Sequence, residues 1–262
     1  MAMVHATAVV LRTVDWSESS LVVTLFSRES GKIRAVAKGG RRPKGPFESA
    51  LDVLSECRIV FLKKSSDALD VLAEAKLVER FRPFERGLQA LEAGYYVAEL
   101  IDAWTDDYDP HPQLYDLLVA TLAALRPDAP LRALTLHFEL AALRLLGYFP
   151  ALDECVHCGS SVQPQGRVSF SCADGGVLCA SCRPGKRNVI SLSIAAWQML
   201  REIADCCTQE QEGNSAESAM VDVVALRQLA PATLGELRPV IHQYINNLLG
   251  YMPRTQSRAT GL

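Results

Sequence analysis

Residues 1–80 have the hydrophobic pattern of short β-strands. Runs rich in Val, Ile, Leu and Thr are separated by polar breaks, and the break at Ser30-Gly31 is typical of a tight hairpin. The predicted strands cover residues 6–14, 20–27, 32–37, 49–54 and 57–63. Short strands without a long helix among them favour a small closed or half-closed barrel over an open sheet, and the OB-fold is one such barrel.

From about residue 81 the apolar residues recur with the period of an α-helix. This pattern predicts helices over about 88–104, 112–125 and 131–146, one that starts after Ser193 as N-cap, and a last one over 231–249. Apolar positions nearly encircle the third helix, which predicts a buried central helix that Gly147 ends. Residues 208–219 are polar and are expected to form a flexible loop.

Four of the eight cysteines form two pairs, Cys155-Val-His-Cys158 and Cys179-Ala-Ser-Cys182, with twenty residues between the pairs. Each pair offers two thiolates from a tight turn, and together they provide a tetrahedral ligand set for Zn²⁺. Four protein ligands leave no open position for water, so we expect a structural zinc. His157 and Cys172 are spare donors without this spacing. The alternatives are buried free thiols or a redox pair.

These patterns predict an α+β multidomain protein, in which an N-terminal β-barrel, with the OB-fold as one candidate, precedes an α-helical domain with an inserted four-cysteine zinc site. The expected boundaries are 1–80 for the barrel, 81–150 and 190–250 for the helical domain, and 151–189 for the inserted zinc site.

Charge is distributed unevenly along a chain whose net charge is −3. Residues 28–44 carry seven Lys and Arg against one acid, Glu29. Glycines in this segment allow a close approach of the backbone to phosphate, and arginines bind phosphate through two hydrogen bonds. The candidate nucleic-acid contacts are Lys32, Arg34, Lys38, Arg41, Arg42 and Lys44, and the alternative is a solvated charged face.

Aromatic side chains in loops would strengthen a single-strand interface, because bases stack on exposed rings. Trp16 and Phe47 lie in predicted loops and are candidates for stacking, whereas Phe26 and Phe61 lie in predicted strands and are expected in the core.

The sequence contains little that indicates catalysis. The chain lacks a Walker loop and the G-x-G-x-x-G, H-E-x-x-H and G-x-S-x-G patterns, so we do not expect an enzyme. Asp106, Asp107 and Asp109 are interpreted as charges before a helix N-terminus rather than as a cation site. The first residues lack a basic segment before an apolar run, which predicts a cytoplasmic protein.

The order of these features resembles the RecO family of bacterial DNA repair proteins. The residues that carry the resemblance are Val9 to Arg12, Glu18, Val22 to Ser27, Gly31 to Arg34, Ala37 to Pro43, Phe138 to Leu140, Leu145 to Tyr148, Gly175-Gly176 and the two Cys pairs. The resemblance implies an OB-fold, a helical domain and a zinc finger. It also implies binding of single- and double-stranded DNA, annealing of complementary strands, and loading of RecA onto SSB-coated strands with RecR (and RecF).

The same resemblance implies where partners bind. The family's basic OB-fold segment corresponds to the six basic residues named above. The SSB C-terminal tail binds the helical domain in relatives, and the nearest match is the segment from His137 to Tyr148 with Arg144. A nucleoid-associated protein of the RecF pathway follows from this function.

Three other functions fit parts of the sequence. They are a zinc-ribbon RNA-binding protein, a thiol oxidoreductase that uses a C-x-x-C pair, and an adaptor that binds only proteins. A preference for RNA over DNA would indicate the first. A low-pKa thiol in a zinc-free protein would indicate the second, and binding that is insensitive to charge reversal of the basic segment would indicate the third.

Overall fold

The computed structural model describes residues 2–42, 45, 47, 50–64, 68–163, 166–209 and 231–260. The chain divides into two compact units, residues 1–131 with 253–262 and residues 132–252. The predicted contact Lys44, and the predicted flexible loop from residue 210 onward, lie outside the described residues.

A closed five-stranded barrel forms most of the first unit. Its strands are β1 (Ala2–Asp15), β2 (Leu21–Ser27), β3 (Gly31–Ala37), β4 (Glu56–Lys63) and β5 (Asp70–Glu79), in the order β1-β2-β3-β5-β4. The pairing of β1 with β4 closes the barrel, and only β3 and β5 pair in parallel. Alternate residues fill the interior, as Ile33, Ala35 and Ala37 do on β3. The predicted OB-type barrel is therefore confirmed.

The fifth strand lies elsewhere than the sequence pattern predicts. Residues 50–54 form turns, and Ala50 and Leu51 are buried in the barrel core together with Phe47. The fifth strand is β5, which the pattern misses because Glu, Lys and Ala occupy many positions where strands prefer β-branched residues. Burial of an apolar turn, and not strand pairing, explains the hydrophobic run at 50–54.

Helices α1 (Pro83–Arg86), α2 (Leu88–Trp104) and α3 (Pro112–Ala124) follow the barrel in the same unit. The last helix, α7 (Gln256–Thr260), returns to this unit and packs on α2. Glu99 of α2 accepts hydrogen bonds from the backbone amides of Arg254 and Thr255, each at 2.9 Å. The predicted bounds of α2 are confirmed, and α3 begins at a proline, which is favoured in a first turn.

The second unit contains α4 (Leu131–Leu145), a small sheet, α5 (Ile194–Gln209) and α6 (Pro231–Leu249). Residues 133–143 of α4 are all buried, as predicted from its apolar circumference. The sheet consists of β6 (Arg167–Ser171), β7 (Gly176–Leu178) and β8 (Val189–Ser193), in the order β7-β6-β8. The sequence pattern indicates only irregular structure here. Ser193 caps α5 as predicted, because its Oγ accepts the Ala196 amide at 3.1 Å.

Among the described residues, no helix combines the length and apolar character that crossing a membrane requires.

Candidate metal centre and nucleic-acid interface

Two tight turns bring the paired cysteines together at one end of the small sheet. Cys179 directly follows β7, and residues 151–156 run beside that strand, where the Val156 amide donates to the Val177 carbonyl at 3.0 Å. The first turn closes when the Gly159 amide donates to the Cys155 carbonyl at 2.8 Å. Gly159 has φ of +71°, which glycine adopts without strain. The sheet therefore holds both turns in register.

The four sulfur atoms of Cys155, Cys158, Cys179 and Cys182 lie within 4.8 Å of one another. The Sγ atoms of Cys158 and Cys179 are 3.8 Å apart. A zinc ion at about 2.3 Å from each of four sulfurs requires sulfur separations of about 3.8 Å, so the site fits this ion. A soft, closed set of four thiolates favours zinc over calcium or magnesium. Cysteines 155, 158, 179 and 182, the ligands that the sequence predicts, thus lie together in an arrangement compatible with a structural metal site.

The two spare donors stay outside this cluster. Cys172 is buried, and burial raises the pKa of its thiol to about 11. Its carbonyl accepts a hydrogen bond from Asn247 Nδ2 at 3.0 Å. Neither Cys172 nor His157 belongs to the metal-ligand group found among the described residues. Cys172 is therefore a packed core thiol.

Hydrogen bonds around the sulfurs favour thiolates at the first turn. Burial raises the pKa of Cys155, but hydrogen bonds from the backbone of Cys179, His157 and Cys158 outweigh it and lower that pKa to about 6. The pKa of Cys182 is raised to about 12, first by its hydrogen bond with Cys179. Because metal ligands bind as thiolates, a bound metal would displace the thiol protons.

Two of the predicted DNA contacts on β3 are engaged within the chain. Lys32 is only 8% exposed, and its Nζ donates to the Asp102 carbonyl at 2.7 Å. Arg34 donates from Nε and from Nη2 to Asp107 Oδ2, at 2.9 Å and 2.5 Å. The predicted shared face of Lys32 and Arg34 exists, but both side chains pair with acidic residues of the same unit, Asp102 and Asp107.

The turn after β3 presents the remaining basic side chains. Lys38 and Arg42 are exposed and form no ion pair or side-chain hydrogen bond with any residue that the structure describes. Arg41 donates to the Ser17 carbonyl at 3.1 Å and lies 3.3 Å from Asp15. The turn is compact because the Arg42 amide donates to the Gly39 carbonyl at 3.0 Å, with Gly39 at φ +80°.

Trp16 lies at the same end of the barrel as this turn. The β1–β2 loop that carries it touches the turn, since the Arg41 amide donates to the Ser19 carbonyl at 3.1 Å. Trp16 is 65% exposed and remains a stacking candidate, but Phe47 is 3% exposed and cannot stack on a base. The expectation for Phe47 is wrong because it rests on a loop rich in Gly and Pro, which still turns this ring inward. Phe26 and Phe61 are fully buried, as expected.

Asp107 and Asp116 form ion pairs with basic residues of the barrel, a role that the sequence pattern does not assign to them. Asp107 is expected as a charge before a helix, yet its carboxylate binds Arg34. Arg28 forms a similar two-point pair with Asp116 of α3, at 2.9 Å and 3.1 Å. In the sequence, these ion pairs are indicated only by the opposite charges of the two segments, net +3 for residues 1–80 and net −5 for residues 81–150.

The segment that matched the SSB-tail site is mostly interior. His137 is buried, and burial lowers its pKa to about 4, so it is neutral at pH 7. Arg144 lies over the Phe149 ring at 5.6 Å, and Tyr148 is 52% exposed. The accessible part of this segment is therefore its C-terminal end.

The sequence matches the family descriptions "Recombination protein O N terminal" over residues 1–81 and "Recombination protein O C terminal" over residues 86–258. The chain belongs to the RecO family. It is 39% identical over 259 residues to the DNA repair protein RecO of Rhodopirellula baltica, covering 95% of this chain and 96% of that protein. The family that the sequence pattern resembled is thus confirmed.

Other RecO proteins are similar over nearly the same length. The DNA repair protein RecO of Anaeromyxobacter sp. (strain K) is 34% identical over 250 residues, which are 95% of this chain and 93% of that protein. The RecO protein of Bacillus pumilus is 30% identical over 250 residues, with 95% and 90% covered. Both compact units therefore fall within the matched length.

Proposed function

We propose that this chain is a DNA repair and recombination mediator that binds single- and double-stranded DNA and anneals complementary strands. With RecR and RecF it helps to load RecA onto SSB-coated single strands. Membership of the RecO family and the exposed basic turn of the barrel support this proposal. The nucleoid of the cytoplasm is the expected location.

The turn of Lys38, Arg41 and Arg42, with Trp16 beside it, carries the proposal. Lys38 and Arg42 hold no ion pair with the described residues, so they lose little when they bind phosphate, and Arg41 would exchange its exposed pair with Asp15. Trp16 adds a ring on which any base can stack. Binding through charge and stacking is independent of sequence, which annealing requires.

Annealing by this route needs no covalent step. The basic turn neutralises phosphate repulsion between two strands, and base pairing supplies the free energy. We therefore propose a non-enzymatic mediator. A structural zinc ion held by Cys155, Cys158, Cys179 and Cys182 would stabilise residues 151–189 as a separate finger, between the helical segments 81–150 and 190–250.

Protein partners are assigned to the helical segments. We place the SSB C-terminal tail at the accessible end of the 137–148 segment, where Arg144 and Tyr148 offer a cation and an exposed ring. RecR and RecF would bind this chain while the barrel turn holds DNA. RecA would then be loaded onto the DNA without being a direct partner of this chain.

An annealing assay tests the proposal with a matched pair of charge-reversed variants. Lys38→Glu with Arg42→Glu changes the basic turn. Arg58→Glu with Lys76→Glu makes the same charge change on exposed residues of β4 and β5. We expect the first variant to lower the annealing rate about tenfold, because two phosphate contacts are lost, and the second to stay within about twofold.

A competitor strand separates the proposal from an RNA-binding function. Single-stranded RNA of the same sequence should compete for the labelled DNA no better than unlabelled DNA does. Stronger competition by RNA, or equal annealing rates for both variants, would contradict the proposal.

A further inference from the structure

An acidic segment between α2 and α3 lies against β3, where Lys32 and Asp107 form a backbone bridge. The Tyr108 amide donates to the Lys32 carbonyl at 2.9 Å, and the Tyr108 hydroxyl donates to the buried carboxylate of Asp70. Gly31 allows this approach, because a Cβ atom there would overlap the backbone of Asp109. The backbone of the segment is thus held firmly against the barrel.

The carboxylate of Asp107 binds Arg34 in the way that a phosphate group would. Nε of the guanidinium donates to Oδ1 at 3.2 Å and Nη2 donates to Oδ2 at 2.5 Å, which is the fork geometry that arginine also forms with two phosphate oxygens. The hydrogen bond with Asp107 raises the pKa of Arg34, so the guanidinium is fully charged. In this structure the two acceptor oxygens that a DNA phosphate would offer to Arg34 are therefore replaced by the two oxygens of another anion.

This ion pair is open to exchange, unlike the neighbouring lysine contact. The side chains of Arg34 and Asp107 are 56% and 33% exposed, whereas the Lys32 side chain is 11% exposed. An exposed ion pair contributes little to stability, so a competing phosphate can replace it at low cost. Because Tyr108 anchors the segment, only the Asp107 side chain has to move.

We propose that Asp107 acts as an internal substitute for a DNA phosphate, which occupies Arg34 and limits the affinity of the barrel for DNA. The inference rests on the proposed DNA-binding function and names a residue that sets its strength. Arg34 lies four positions before Lys38, or about 13 Å along the chain direction of β3, within the 4–16 nucleotides that one OB barrel covers. Weak binding suits a protein that must release annealed strands.

The test compares Asp107→Asn with Asp106→Asn. Both remove one negative charge from the same segment, but Asp106 is exposed and its side chain has no ion pair with the described residues. We expect Asp107→Asn to bind a fluorescent single-stranded oligonucleotide about threefold more tightly than the native chain. The slope of log affinity against log salt should steepen by about 0.7, which corresponds to one added phosphate contact.

A second substitution shows whether the gain runs through Arg34. In an Arg34→Gln background, Asp107→Asn should no longer raise the affinity above that of Asp106→Asn. Melting curves of all variants establish that each one is folded.

Equal affinities of Asp107→Asn and Asp106→Asn, while the native chain binds DNA, would overturn this inference and leave the proposed function standing. Persistence of the gain in the Arg34→Gln background would also overturn it. No DNA binding by the native chain would overturn both, so the two failures are distinguishable.

Discussion

Replacement of Cys158 and Cys182 together by Ser should abolish zinc binding and lower the melting temperature of the chain by roughly 10 °C. Two of four ligands cannot hold a structural ion, and without the ion the two turns lose the link that joins them. Metal content of the purified protein, measured by elemental analysis, should fall from one zinc per chain to a trace. Differential scanning fluorimetry measures the loss of stability.

Cys172→Ser is the matched control for this prediction. It also removes one thiol from the finger, but Cys172 lies outside the ligand group, so zinc should remain bound. Zinc retention by the Cys158→Ser, Cys182→Ser variant, or zinc loss by Cys172→Ser, would contradict the assigned ligand set.

Arg238→Met should lower the free energy of unfolding by about 3–5 kcal/mol, because it leaves a buried carboxylate without its arginine partner. Glu139 is fully buried on α4, and Arg238 Nη1 of α6 lies 2.7 Å from its Oε2. Arg238 also donates to Thr135 Oγ1 at 2.7 Å, and His242 Nε2 lies 3.4 Å from Glu139 Oε1. Urea unfolding followed by circular dichroism measures the change.

The double variant Glu139→Met, Arg238→Met separates the ion pair from simple packing. Replacement of both partners by apolar side chains removes both desolvated charges, so most of the lost stability should return. Additive losses in the double variant would show that the cluster contributes through packing alone. The i,i+4 spacing of Thr135 with Glu139, and of Arg238 with His242, places both pairs on the facing sides of two helices.

Local patterns in the sequence were sufficient for most elements of the fold. The apolar runs of β2 and β3 and the Ser30-Gly31 hairpin appear as predicted, because most apolar residues of both strands are buried and the strands pair in the predicted antiparallel way. The helices α2, α4 and α6 follow from their apolar stripes. The four-cysteine site was also predictable, since the spacing within each pair is sufficient to form its turn.

Non-local interactions explain what the sequence did not reveal. β5 carries charges and small residues, and it becomes a strand because β3 and β4 offer it hydrogen bonds on both sides. Phe47 is drawn into the barrel interior from a loop. The pairing of Arg34 with Asp107 joins residues 73 positions apart, which no local pattern indicates. As a result, Lys32 and Arg34 are engaged within the chain, and fewer than six of the predicted basic residues remain free to contact DNA.

Binding of single-stranded DNA across a salt series tests the central claim most directly. The claim is that the barrel turn of Lys38 and Arg42 contacts phosphate. Fluorescence anisotropy should show that Lys38→Glu with Arg42→Glu flattens the slope of log affinity against log salt by about 1.4, or about 0.7 for each lost contact. The control, Arg58→Glu with Lys76→Glu, should keep the native slope. Equal slopes for the native chain and the Lys38→Glu, Arg42→Glu variant would contradict the account.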